Sequence, residues 1–203
     1  MATPPSRPPD LDGPLRPPRP ESPSALKGIL ITEEELRDRI QQLAKDINRV
    51  YREESVVVVG VLSGSILFFA DLIRQIRSPL EIDFVGISSY RTGTTAGRLE
   101  TTKPVTTELK GRRVLVVDDI LDGGNTLTAV KNTLRPLQAS EIRCCVLLER
   151  SDRRVQPVQA DFVGFRIPDY FVVGYGLDYG EKYRNLPYVG VLDESLLSST
   201  RDT

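Results

Sequence analysis

Residues 114–127, with the sequence VLVVDDILDGGNTL, constrain the fold of this chain more than any other segment. The apolar run Val114–Val117 predicts a buried strand. It ends at two adjacent carboxylates, Asp118 and Asp119, with a third at Asp122, before Gly-Gly-Asn-Thr leads into a predicted helix. Glycines let backbone amides approach a ligand closely, and a helix N-terminus attracts anions. The segment therefore predicts an anion-binding loop beside a group of carboxylates.

An acidic loop that merely caps the next helix is the alternative interpretation of this segment. Carboxylates crowded at the end of a strand repel one another, and that repulsion is costly unless they hold a ligand. We therefore favour a binding site in which the carboxylates hold ribose hydroxyls or a magnesium ion. The chain has no histidine and only two cysteines, Cys144 and Cys145, which argues against a zinc site.

The remaining pattern alternates strands with helices. Val56–Val61 is a continuous apolar run, typical of a strand buried on both faces, and Thr32 with Glu35 has the spacing of a helix capping box. Helices are further predicted over 65–77 and 125–137, strands over 80–87, 113–118 and 141–148, a polar loop over 88–104, and strand-like structure over 162–191. This order predicts an α/β fold with an open, mainly parallel twisted sheet and flanking helices. Ligands bind such sheets beyond the carboxyl ends of the strands.

The N-terminal 27 residues differ in composition from the rest of the chain. Nine of the fifteen prolines precede Ser24, and a segment so poor in apolar residues cannot offset the entropy of ordering. We expect a disordered tail over residues 1–27 and one domain over residues 28–203. The formal net charge of −1 argues against nucleic acid or an anionic membrane as a partner. No leader and no membrane-spanning run is visible, so we expect a cytoplasmic protein.

The segment beginning at Val114 resembles the phosphoribosyl-pyrophosphate motif of type I phosphoribosyltransferases. Four further segments, in the family's order, narrow the resemblance to the hypoxanthine/guanine branch: Val61–Leu72, Ser88–Tyr90, Leu147–Arg154 and Ile167–Pro187. They resemble the family's pyrophosphate loop, its mobile catalytic loop, its purine-reading segment and its base-binding hood, respectively. The resemblance implies the type I phosphoribosyltransferase fold with a small hood.

The resemblance also implies a role for each residue around the anion-binding loop. Asp118 and Asp119 would hold the ribose hydroxyls and a magnesium ion, and Asp122 would be the general base near N7 of the purine. The 5′-phosphate would be bound by Gly123, Gly124, Asn125 and Thr126. The family's activity implies a transfer of the phosphoribosyl group to hypoxanthine or guanine, with pyrophosphate leaving. It further implies a homodimer or homotetramer.

Three more groups of site residues follow from the same resemblance. Pyrophosphate would be bound by Leu62, Ser63, Gly64 and Arg184. The purine would be bound by Arg150, Phe171, Val172 and Asp178, of which Phe171 stacks on the base and Asp178 also holds a second magnesium ion. Ser89 and Tyr90 would close over the reacting atoms. Phe171 as a core residue and Arg184 as a surface cation are the structural alternatives.

Three residues depart from the family's pattern. Arg150 stands where a lysine usually donates to the 6-oxo group, Gly123 where Thr or Ser usually adds a hydroxyl, and Ser63 where Lys or Arg is frequent. Arginine still donates, but its guanidinium is planar and wider than an ammonium. These departures leave open a nucleotide-binding or regulatory homologue with weakened catalysis. An RNA-binding regulator is a weaker alternative, because the net charge is close to zero.

Overall fold

Helices and strands alternate along the chain in the computed structural model, which describes residues 5–89, 99–193 and 195. The elements in chain order are β1 (Leu26–Ile31), α1 (Glu33–Tyr51), β2 (Val56–Leu62), α2 (Ile66–Ile73), β3 (Leu80–Ser89), β4 (Leu99–Lys103), β5 (Arg113–Leu121), α3 (Asn125–Leu134), β6 (Glu141–Glu149), β7 (Phe162–Arg166), β8 (Val172–Val173) and β9 (Val189–Leu192). A 3-10 turn, Arg135–Leu137, follows α3. None of the helices in the described ranges is long and apolar enough to cross a membrane.

The larger sheet of the described residues has the strand order β4-β3-β2-β5-β6-β7. All neighbouring pairs are parallel except β3 with the edge strand β4. Alternate side chains of β2 belong to two hydrophobic cores, one on each face of the sheet. Val58 packs with the helices α1 and α2, and Val57 packs with α3. The predicted α/β fold, with helices on both faces of a mainly parallel sheet, is confirmed.

A smaller sheet lies outside this layered core. In the described part of the chain, β1, β9 and β8 form it in that order, all antiparallel. Its own apolar cluster includes Leu26, Val173, Tyr188 and Leu192. We call this sheet, with residues 167–188 around it, the hood. The predicted strand-like character of residues 162–191 corresponds to β7, β8 and β9.

Most predicted elements are present, with shifted ends. The capping box is formed, because Thr32 Oγ1 accepts from the Glu35 amide and the Glu35 carboxylate accepts from the Thr32 amide. The predicted polar loop over 88–104 contains β4, an exposed edge strand of sequence LETTK. Such a strand has no apolar alternation, so its pattern does not distinguish it from a loop. The helix predicted over 65–77 ends at Ile73.

Residues 5–25, which we call the strap, differ from the disordered tail that the composition predicts. Ser6 donates from its amide to Asp46 Oδ2 at 2.9 Å, and its hydroxyl accepts from Arg39 Nη1 at 2.9 Å. The backbone of Arg166 forms hydrogen bonds with the residues on either side of Asp10. Arg16 pairs with Ile29 through two backbone hydrogen bonds of 2.8 and 3.0 Å. Composition does not reveal these hydrogen-bond partners, because they belong to the folded domain and not to the segment itself. Residues 1–4 lie outside the described residues.

Candidate active site

The predicted site residues converge at the carboxyl ends of β2, β5 and β6. Leu121 at the end of β5 is the register partner of Glu149 at the end of β6. The residue that follows β6, Arg150, donates its amide to the Leu121 carbonyl at 3.0 Å. The loops that follow these strands therefore emerge side by side, as expected for ligand binding in a parallel sheet.

Asp118 and Asp119 form a carboxylate pair at the end of the buried part of β5. Asp118 Oδ1 accepts from the Asp119 amide at 3.0 Å, and Asp119 Oδ1 accepts from the Ile120 amide at 2.9 Å. Burial, together with the charge of Asp119, raises the pKa of the Asp118 carboxyl well above its usual range. Burial also raises the pKa of Asp119, while the positive charge of Arg184 opposes that rise. Two carboxylates held so close favour a cation or hydroxyl donors between them.

The loop after Asp122 begins α3 at a glycine. Gly124 is the N-cap with φ 88°, a conformation that side chains rarely adopt. The Gly123 carbonyl accepts from the amides of Val155 and Gln156, both at 3.0 Å. A Cβ atom at Gly123 would lie 3.3 Å from Val155 Cγ2. The glycine thus leaves room for Val155, while Asn125 begins the helix whose free amides face this loop.

The loop after β2 reaches the carboxylate pair and the hood. Its Leu62–Ser63 peptide is cis. At Gly64 a Cβ atom would overlap Asp119 Oδ2, and at Gly176 of the hood, where φ is 100°, it would overlap the Gly64 carbonyl. Both glycines are therefore required for the close approach of backbone to the carboxylate.

Arg184 is held in the hood by three residues of the hood itself. It donates from Nη1 to the Gly176 carbonyl at 2.8 Å, forms an ion pair with Asp178 Oδ1 at 3.0 Å, and binds Glu181. The Asp178 carboxylate also accepts from the Glu181 amide at 2.9 Å. Arg184 therefore lies where its charge reaches Asp119, in agreement with the lowering effect of Arg184 on the pKa of Asp119.

Three of the predicted purine-binding residues, Phe171, Val172 and Asp178, lie in the hood. Phe171 is 36% exposed, and its ring contacts Tyr179 edge-on at a centroid distance of 5.6 Å. Val172 is buried in β8, where it pairs with Val191. The sequence left open that Phe171 is a core residue. Its ring is instead exposed, next to the backbone of β8.

Arg150 is buried and faces both the hood and Asp122. It donates from Nη1 to Asp169 Oδ1 at 3.1 Å and to the Tyr170 carbonyl at 2.9 Å. Its Nη2 lies 3.3 Å from Asp122 Oδ2. Sequence reasoning missed Asp169 and Tyr170 as partners of Arg150, because no local spacing relates residues about 20 positions apart.

Of the two residues predicted to close over the site, only the backbone of Ser89 is described. The backbone of Ser89 ends β3, paired with Leu99 of β4. Tyr90, and with it most of the predicted catalytic loop, lies outside the described residues. Another contact that the sequence did not reveal joins the hood to α2: the Tyr175 hydroxyl donates to Asp71. Burial and that carboxylate raise the pKa of Tyr175.

The donor set at the strand end fits magnesium better than a softer metal. Over residues 5–89 and 99–193, no three His, Cys, Asp or Glu side chains surround one point. Magnesium needs only one or two carboxylates when substrate phosphates and waters supply the remaining oxygens. Asp118 and Asp119 offer that pair of hard oxygen donors, with the glycine-capped start of α3 a few residues away. Asp178 lies apart, paired with Arg184.

Comparison with known proteins places this arrangement in a family. The model of the phosphoribosyl transferase domain matches residues 31–180. The hypoxanthine-guanine phosphoribosyltransferase of Bacillus subtilis is 41% identical over 175 residues, which cover 86% of this chain and 97% of that protein. The hypoxanthine phosphoribosyltransferase of Haemophilus influenzae is 44% identical over 172 residues, 82% of this chain and 96% of that protein.

The chain belongs to the hypoxanthine/guanine phosphoribosyltransferase family. Solved structures of the family have the same fold as this chain. A Bacillus anthracis hypoxanthine-guanine phosphoribosyltransferase superposes with a TM-score of 0.78 at 40% identity, covering 83% of this chain and 98% of that one. A Trypanosoma cruzi hypoxanthine phosphoribosyltransferase variant, complexed with the product IMP, gives a TM-score of 0.84 at 33% identity, covering 91% and 99%. The resemblance drawn from the sequence motifs is confirmed.

Proposed function

We propose that this chain is a purine-salvage phosphoribosyltransferase that converts hypoxanthine, guanine or both, with phosphoribosyl pyrophosphate, to IMP or GMP and pyrophosphate. The observation that carries the proposal is the strand-end arrangement of β5. A carboxylate pair is followed by Asp122 and then by a glycine-capped helix N-terminus. Such a loop binds a 5′-phosphate, while the carboxylates bind the ribose. The relatives' names supply the purine as the second substrate.

The proposed reaction replaces the bond from the anomeric carbon to pyrophosphate with a bond to a purine nitrogen. Asp118 and Asp119 hold the ribose hydroxyls and favour the positive charge that develops on the ribose. The backbone from Gly123 to Thr126, with Asn125 between them and the Thr126 hydroxyl, holds the 5′-phosphate. Asp122 accepts the proton that the purine loses at N7.

Pyrophosphate leaves toward the loop after β2. Leu62, Ser63 and Gly64 present backbone amides there, and Arg184 neutralises part of the developing charge. Magnesium, when bound, neutralises the leaving pyrophosphate. Asp118 with Asp119 would hold one ion, and Asp178 would help to hold a second.

The hood and the catalytic loop complete the proposed site. Phe171 stacks on the purine, and Val172 contacts its edge through the backbone, while Arg150 lies against Asp122. Ser89 and Tyr90 close over the reacting atoms and exclude water, which otherwise competes for the ribosyl carbon.

We further propose that the chain works in the cytoplasm as a homodimer or homotetramer. The free thiols of Cys144 and Cys145 are buried, as suits a reducing compartment. Ile66 and Leu67 at the start of α2 are 46% and 37% exposed, and a second copy would cover them. Size-exclusion chromatography with light scattering tests the assembly.

A coupled assay of pyrophosphate release tests the function. Hypoxanthine, guanine, xanthine and adenine are offered in turn, with magnesium and with a chelator. We expect turnover with at least one 6-oxopurine, little with adenine, and loss of turnover when magnesium is removed.

The variant Asp118→Asn with Asp119→Asn serves as the control, and we expect it to bind phosphoribosyl pyrophosphate more weakly in isothermal titration. No pyrophosphate from any of the four bases would contradict the proposed function. Unchanged affinity in the double variant would remove the carboxylate pair from the site.

A further inference from the structure

The Arg150 guanidinium contacts three acceptors from two parts of the fold, the hood and the loop after β5. Its Nη1 donates to Asp169 Oδ1 and to the Tyr170 carbonyl of the hood, and its Nη2 lies 3.3 Å from Asp122 Oδ2 on the loop after β5. A guanidinium spreads five donors over a rigid plane, whereas an ammonium concentrates three on one atom. The geometry therefore explains why an arginine, rather than the family's usual lysine, suits this position.

The backbone fixes the two residues of the Arg150–Asp122 pair relative to each other. Asp122 and Arg150 each follow a strand, and those strands are register neighbours at Leu121 and Glu149. The Arg150 amide also donates to the Leu121 carbonyl at 3.0 Å. The guanidinium is held by the hood at its other side, so its position is determined before any ligand binds.

Two buried atoms of this pair have no hydrogen-bond partner among the described residues: Asp122 Oδ1 and Arg150 Nε. Buried polar atoms are nearly always paired, and an unpaired one is costly. Nε and Nη2 donate from the same edge of a guanidinium, and that edge matches the two oxygens of one carboxylate. A small rotation of Asp122 would turn the single contact at Nη2 into a two-point pair.

We propose that Arg150 is a positioning residue for Asp122 and does not read the 6-oxo group of the purine. Both Nη1 donors are used by the hood, and Nε is buried on the edge that it shares with Nη2, which faces Asp122. The remaining contact of the guanidinium is the one to Asp122. Arg150 thus orients the carboxylate that accepts the proton from the base. This inference rests on the proposed function, which makes Asp122 the general base.

A double-mutant cycle tests the proposal. Single-turnover nucleotide formation and KM for hypoxanthine are measured for the unmodified chain, Arg150→Lys, Asp122→Asn and the combined variant. Arg150→Lys should lower the single-turnover rate by about tenfold or more, because a misplaced catalytic group can cost about a hundredfold. KM for hypoxanthine should change by less than about threefold. When Asp122→Asn is already present, Arg150→Lys should change the rate by less than about twofold, because the positioned group is gone.

Arg153→Lys is the matched control, since Arg153 pairs with the same carboxylate, Asp169, at 2.6 Å and is half-exposed. Its single-turnover rate should stay within about twofold of the unmodified chain. Chemical denaturation of each variant separates lost folding from lost chemistry.

Two results would overturn the inference alone: a KM for hypoxanthine raised tenfold or more with an unchanged single-turnover rate, or equal losses with and without Asp122→Asn. An unmodified chain that forms no nucleotide from any 6-oxopurine would overturn the proposed function, and this inference with it.

Discussion

Single carboxylates of this protein do different work because their surroundings differ. Asp118 is buried beside Asp119, and its pKa is raised by burial first and by that neighbour second. Asp122 is one-third exposed and lies against the Arg150 guanidinium. Asp83, away from the site, is surrounded by donors that hold it ionised. All three residues are aspartates, so residue type alone does not distinguish their roles.

Asp122→Asn should lower the rate of the chemical step by at least about a hundredfold, because positioned acid–base catalysis contributes about 10²–10⁴-fold. Binding of phosphoribosyl pyrophosphate should change far less, since the loop amides remain. Single-turnover kinetics and isothermal titration measure the two effects. The structure places the N-cap of α3 at Gly124, so the capping role is replaced by a purely structural ion pair with Arg150. If Asp122 serves only that pair, the variant loses about 1–3 kcal/mol of stability and keeps a near-normal chemical step. Chemical denaturation of the same variant decides between these outcomes.

Asp83 should make the stability of the fold depend on pH. Burial would raise the pKa of its carboxyl, but hydrogen bonds from Lys103 and from the amides of Thr107, Phe84 and Thr106 outweigh burial and lower the pKa below its usual range. An acid with a lowered folded-state pKa stabilises the fold above its unfolded pKa, near 4, and loses that contribution as pH falls through the folded pKa. The contribution should therefore be complete at pH 7 and should decline below about pH 5.

Asp83→Asn should lower the free energy of unfolding by about 1.5–3 kcal/mol at pH 7, and the difference should shrink by pH 3. Urea denaturation across this range measures it. Glu81→Gln, on the same strand with an exposed ion pair to Arg112, should change stability by less than about 1 kcal/mol. A constant difference between Asp83→Asn and the unmodified chain at every pH would contradict the argument.

At the scale of elements, the strap shows how a proline-rich segment becomes ordered. The strap pairs with the edge of β7 at Arg166 and with β1 through Arg16. Near its end, Ser22 forms a hydrogen bond of 2.6 Å with the Tyr188 hydroxyl. Prolines suit an extended segment at a sheet edge, because they lack the amide that a central strand needs. The strap also covers an edge that would otherwise pair with other chains.

Deleting residues 1–24 should lower the melting temperature by about 4–8 °C, because a loss of about 2 kcal/mol corresponds to that shift in a domain of this size. Differential scanning calorimetry measures it. Ser6→Ala should reproduce part of the loss, since it removes the hydroxyl that donates to Asp46 and accepts from Arg39 Nη1. The exposed Asp12→Asn serves as the control within the strap. An unchanged melting temperature after the deletion would support a tail that makes few native contacts, as composition alone predicts.

At the scale of the whole molecule, the site depends on contact between the two sheets. Gly176 of the hood packs on the Gly64 carbonyl, and Tyr175 hydrogen-bonds to Asp71 of α2. The Asp119 carboxylate lies against the other side of Gly64. The hood, the loop after β2 and the carboxylate pair are therefore stacked in direct contact.

Gly176→Ala should separate the hood from this loop and weaken both stability and the binding of phosphoribosyl pyrophosphate. Gly180→Ala is the matched control, because both glycines have positive φ, 100° and 58°, but a Cβ atom at Gly180 meets nothing within 4 Å. Each variant should lose about 1–2 kcal/mol from backbone strain. Only Gly176→Ala should also lower the affinity measured by titration. Equal affinities for the two variants would show that the contact does not support the site.

The sequence by itself determined the features that local spacing carries. The continuous β-branched and apolar runs of β2 and β5 suit strands that are buried on both faces, so their pattern predicts a parallel sheet. The capping box needs only Thr32 and Glu35, three residues apart. The order of the carboxylates and glycines from Asp118 to Gly124 places an anion-binding loop after a strand. These features are readable from local spacing and predicted the fold, and four further motifs in the family's order narrowed the resemblance to the hypoxanthine/guanine branch.

Only the tertiary structure decided the features that depend on partners far along the chain. Ser6 is ordered by Asp46, 40 residues away, and the guanidinium of Arg150 is fixed by the Tyr170 carbonyl, 20 residues away. The edge strand β4 has a polar sequence and exists because β3 offers it a free row of backbone groups. The physical reason is the same in each case: a hydrogen bond between remote segments depends on where the fold brings their atoms, and no local pattern encodes that position.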